Sequence, residues 1–100
     1  MLRHIITWKY KEGLGDEENR ANALKIKSGF ESLAGVIDGI VEIKVYINEL
    51  PTSNKDIILT SLFVNEAALA AYKDHPEHVK VRDVVRDVLQ DRACIDYYER

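Results

Sequence analysis

The chain has 100 residues, 46% hydrophobic and 31% charged, with five Gly, two Pro and a net charge of −3. A chain of this size builds one domain, and its composition excludes disorder and low-complexity repeats. Both signs of charge are interspersed along it, so no basic surface is expected to hold phosphates, and nucleic acid is not an expected partner. The longest uncharged apolar stretch, Ile57 to Val64, falls well short of the ~20 residues that cross a bilayer, so no membrane association is expected. The N-terminal stretch has no apolar run long enough for a signal peptide. The single cysteine, Cys94, has no partner for an intramolecular disulfide. Its apolar and aromatic neighbours suggest a buried structural thiol, and a lone cysteine fits a reducing cytoplasm.

Residues 2–10 alternate, with Leu2, His4, Ile6, Trp8 and Tyr10 on one face and Arg3, Ile5, Thr7 and Lys9 on the other. A period of two in aromatic and branched residues predicts a strand. Gly13 and Gly15 break the pattern, Asp16 is an expected N-cap, and Glu17 and Glu18 suit a first helical turn. Ala23, Ile26, Phe30 and Leu33 then recur at helical spacing, with Gly35 as the stop. From Ile40 a second strand sets Val41, Ile43, Val45 and Ile47 against Glu42, Lys44, Tyr46 and Asn48. After a loop over 50–55, a third strand over 56–64 is apolar on both faces, the signature of an internal strand. Asn65 caps an expected alanine-rich helix over 66–74, which His75-Pro76 interrupts. Pro76 suits the first turn of a further helix that turns Val81, Val84, Val85 and Val88 inward. Its Arg82-Asp83 and Arg86-Asp87 pairs read as a solvated face. A last strand is expected over about 92–98.

The order β-α-β-β-α(α)-β predicts a single α+β domain over 1–100, of ferredoxin-like type: a four-stranded antiparallel sheet with helices on one face. The first and third strands are central, and both present apolar residues each way. The face without helices is therefore expected to pair with a second copy, making a homodimer through the sheet faces.

Arg3-His4-Ile5-Ile6, the segment from Leu69 to Val79, and Asp96-Tyr97 resemble the Dabb family, the stress-responsive dimeric α/β-barrel domains. The resemblance spans essentially the whole chain, and Tyr72-x-x-His75-Pro76-x-His78 is its most specific part. It implies a dimeric α+β barrel. Most members have no established activity; some are associated with stress tolerance. One is a plant polyketide cyclase that closes a poly-β-ketone by intramolecular aldol condensation without metal or organic cofactor. By that resemblance His78, His4 and Tyr72 are the candidate catalytic residues, and neither cofactor nor metal is expected.

On the residues alone, His4 shares the face of Leu2, Ile6 and Trp8, and Tyr72 shares the face of Leu69. Both therefore point towards a space between sheet and helices, with His78 near its mouth. Trp8, Phe30 and His75 complete the expected contacts with a small hydrophobic ligand. A neutral imidazole there takes an acidic proton between two carbonyls, and a phenol polarises a carbonyl. A plainer reading stays open, in which His75-Pro76-x-His78 is a rigid corner with imidazoles capping backbone groups, and His4 and Tyr72 only pack. Three roles follow: a small-molecule cleft, a cyclase, isomerase or lyase acting on a β-dicarbonyl compound, and a stress-associated assembly module. A metal site is a weak prospect, because proline separates His75 from His78 and a closed zinc site needs about four ligands.

Overall fold

The computed structural model describes residues 1–100. Its elements run β1 (Leu2–Tyr10), α1 (Asp16–Glu31), a 3₁₀ turn (Ser32–Gly35), β2 (Ile40–Ile47), β3 (Ile57–Phe63), α2 (Glu66–Asp74), α3 (Pro76–Val88) and β4 (Leu89–Tyr98). All neighbouring strands are antiparallel, in the order β2-β3-β1-β4. The two strands with apolar residues on both faces are thus the central ones. No helix is long and apolar enough to cross a membrane.

Alternation on β1 and β3 decides which face receives the helices. Leu2, His4, Ile6 and Trp8 are buried on one side, as are Ile57, Leu59, Ser61 and Phe63 opposite them. Ala23, Ile26 and Phe30 of α1, Leu69 and Tyr72 of α2, and Val81 and Val85 of α3 close over that side. Gly39, with φ +90°, lies where a Cβ would fall 2.6 Å from the Cβ of Ala68. The left-handed backbone and the close approach of α2 both require glycine there.

The helix ends follow local chemistry, with two departures from expectation. Asn65 caps α2 by accepting from the Ala68 N–H at 2.9 Å. Asp16 is not a cap: the N-cap of α1 is Gly15, and Asp16 opens the first turn beside Glu17 and Glu18, where carboxylates favour the dipole. β4 starts at Leu89, earlier than expected, because the chain passes from α3 straight into pairing with β1. A register shift between Thr7 and Lys9 and a left-handed Asp91, φ 58°, absorb the mismatch.

Candidate functional site

A cavity of about 210 Å³ opens between the sheet and the helices. Ile6, Trp8 and Leu59 form its floor, and Phe30, Tyr72 and Val85 form walls carried by α1, α2 and α3. Trp8 and Phe30 are stacked with ring centroids 6.1 Å apart and an interplanar angle of 18°, presenting an aromatic surface. Two of the three expected ligand contacts therefore line one space.

Tyr72 and His78 meet in this cavity, with ring centroids 4.1 Å apart. Tyr72 is 1% exposed, yet its hydroxyl is buried without a hydrogen-bond partner. Burial also raises its pKa well above the ordinary phenol range, so the hydroxyl stays a proton donor. His78 Nδ1 lies 3.1 Å from the carbonyl oxygen of Lys73. A carbonyl only accepts, so Nδ1 carries the hydrogen in the neutral ring and Nε2 keeps the lone pair. Burial holds the His78 pKa below that of a free imidazole; the Lys73 carbonyl opposes this, and the nearby charges of Arg82 and Arg86 reinforce it.

His4 is not a lining residue. It is buried, 1% exposed, behind Phe63, whose ring lies 6.2 Å from the imidazole and 5.0 Å from the Tyr72 ring. The pairing of β1 with β4 places Asp96 directly across from His4 and Cys94 across from Ile6. The Asp96 carboxylate hydrogen-bonds His4 Nδ1, and Cys94 Sγ lies 3.8 Å from that nitrogen and 3.7 Å from Asp96 Oδ2. Burial lowers the His4 pKa more than the hydrogen bond and charge of Asp96 raise it. The residues capable of holding a metal are thus His4, Cys94 and Asp96, whose donor atoms lie within 4.8 Å of one another, rather than His75 or His78. A metal at His4 Nδ1 would displace the Asp96 hydrogen bond, and the set is one donor short of a closed zinc site.

Three expectations are corrected by the packing. Cys94 is exposed, not buried, because β4 is an edge strand that the helices leave uncovered. His75 does not line the cavity; it is the N-cap of α3, its Nδ1 accepting from the Glu77 N–H at 3.1 Å. Arg82 and Arg86 are not merely a solvated face, since both reach the cavity, where Arg92 of β4 joins them. The spacing of Arg82, Val85 and Arg86 on one helical stripe was the signal for this, obscured by the alternating aspartates.

Sheet order and helix placement define a ferredoxin-like α+β protein. The family model of the stress responsive A/B barrel domain, Dabb, matches residues 2–99, and the chain belongs to that family. It is similar to a dimeric protein of unknown function with a ferredoxin-like fold from Bacteroides fragilis, at 31% identity and a TM-score of 0.90 over 96% of this chain and 93% of that one. A Dabb family protein from Mesorhizobium loti has 23% identity and a TM-score of 0.74, covering 99% and 96% of the two chains. A protein of Arabidopsis thaliana has 21% identity and a TM-score of 0.78, covering 100% and 96%. No curated protein matches the sequence.

Proposed function

We propose that this Dabb protein works as a homodimer that binds a small, largely apolar carbonyl compound in the cavity between sheet and helices. One observation carries the reading: Tyr72, whose hydroxyl is buried without a partner, lines the cavity together with Ile6, Trp8, Phe30 and Leu59. Burying a hydroxyl without a partner costs roughly 1–3 kcal/mol, a cost that a ligand carbonyl accepting from it recovers. The tautomer of His78 favours a second, chemical reading. A neutral Nε2 beside a phenol donor suits removal of a proton from the carbon next to the bound carbonyl, with Tyr72 stabilising the enolate and the same imidazolium returning the proton.

Pairing through the outer sheet face is supported by its composition. Ile95 and Tyr97 are 60% and 43% exposed, beside half-buried Ile5, Ile58 and Leu62. The Bacteroides fragilis relative is described as dimeric.

The test is an NMR titration with an α-substituted β-keto ester in D₂O. Binding in the cavity shifts the Trp8 indole and His78 ring signals, and proton abstraction speeds deuterium uptake at the α-carbon in the wild type over His78→Gln. An absence of shifts at both rings refutes the binding role. Shifts without faster exchange leave a binding protein and refute the chemistry.

A further inference from the structure

Three arginines line this cavity beside its apolar and aromatic residues: Arg82 and Arg86 from α3 and Arg92 from β4. None of them takes part in the six ion pairs of the fold. Arg82 Nε is buried and makes no hydrogen bond. Asp83 and Asp87, adjacent in sequence, are exposed on another side of α3. Arg82 and Arg86 are four residues apart, so they set like charges side by side on the helix, an arrangement that destabilises it. None of the ion pairs of the fold offsets that repulsion.

We infer that the cavity selects a small apolar carboxylic acid, with its carboxylate on Arg82, Arg86 and Arg92 and its body against Trp8 and Phe30. The inference rests on the binding role proposed above and names its substrate class. A guanidinium offers two parallel N–H donors that match the two oxygens of a carboxylate, and a buried unpaired donor is the strongest available place for that charge. The size restricts the acid. A cavity of about 210 Å³ is below the 300–1,000 Å³ of sites for drug-sized ligands, so the body is a single ring or a short chain. Tyr72 and the three arginines line the same cavity, so one ligand meets two kinds of donor. A keto acid, with its carbonyl separated from its carboxylate, satisfies both.

The experiment compares phenylacetate with its neutral isostere phenylacetamide by calorimetry on the full-length protein at low salt, with Trp8 and His78 signals reporting location. The acid binds the wild type roughly tenfold or more tighter than the amide, the scale of a charge-assisted hydrogen bond. Arg82→Gln removes that preference, so acid and amide bind the variant equally. Arg86→Gln, at an exposed position, gives the same readout with a partial loss should Arg82→Gln fail to fold. Equal binding of acid and amide with shifts at Trp8 overturns the inference and leaves the cavity reading intact. A preference for the acid that survives both substitutions also overturns it. No binding of either compound defeats both readings.

Discussion

Replacing Tyr72 with phenylalanine removes a single oxygen atom, and the surroundings of that atom determine the outcome. The ring is 1% exposed and packs on Phe63 at 5.0 Å and His78 at 4.1 Å, contacts that phenylalanine preserves. The oxygen itself is buried without a partner. In the ligand-free protein Tyr72→Phe therefore loses no hydrogen bond and is relieved of a desolvation cost of roughly 1–3 kcal/mol. At about 4–8 °C per kcal/mol for a domain of this length, Tm rises by at least about 4 °C. Calorimetry at one fixed protomer concentration measures this, because the proposed pairing would make Tm depend on concentration. The same variant loses affinity for a carbonyl ligand. Most substitutions of a buried tyrosine destabilise a fold, so a variant that is more stable and binds less well marks a group held for a ligand. A fall in Tm refutes the reasoning, since the hydroxyl would then have a partner in the resting protein.

Acidification should weaken the fold below about pH 6.5. His4 and His78 titrate lower in the folded protein than as free imidazoles, so the unfolded chain takes up protons first and stability falls between the unfolded and folded pKa values. Buried His4 contributes at most ~1.4 kcal/mol per pH unit in that window, and half-exposed His78 less; urea unfolding that is flat from about pH 7.5 to 5.5 contradicts this. Asp96→Asn removes the carboxylate that supports protonation of His4, so the His4 pKa falls further, an NMR titration showing the shift; an unchanged or higher value separates the two residues in solution. Leu62→Arg, on the outer face of β3, tests the proposed pairing. Light scattering is expected to show a monomer against a wild-type dimer, with the far-ultraviolet circular dichroism spectrum unaltered, and a wild type that is itself monomeric refutes the pairing. A bound carboxylate offsets the charges of Arg82 and Arg86 that hold the His78 pKa down. Phenylacetate therefore raises that pKa and binds more tightly as pH falls towards it, an effect that His78→Gln abolishes.

The fold was legible because its signals are local. The two-faced apolar pattern of 56–64 marked a central strand without knowledge of its partners, and Asn65 and Pro76 each punctuate the chain through their own backbone chemistry. The end of the chain was less legible. β4 is an edge strand, so the pattern of Ala93, Cys94 and Ile95 records an uncovered surface, although the same residues in a central strand would mean core. Without that distinction Cys94 looks buried.

The site separates along the same line. Tyr72 and His78 lie six residues apart across one proline corner, and helix geometry alone brings them towards a common space. His4 and Asp96 meet only through the pairing of the first strand with the last, across a register shift that nothing in the sequence marks. A displacement of one residue would turn Asp96 to the opposite face and leave His4 without its carboxylate. The arginines were hidden for a third reason. Alternating Arg and Asp along a helix suggests mutual neutralisation, but adjacent positions lie about 100° apart around the axis and do not face each other. The stripe that carries Val85 into the cavity also carries Arg82 and Arg86, whereas the aspartates turn to solvent. Net charge along α3 is thus a poor guide to the field at the cavity. The cavity faces the positive side of a nearly neutral segment, and that asymmetry is the ground for proposing an acid as its ligand.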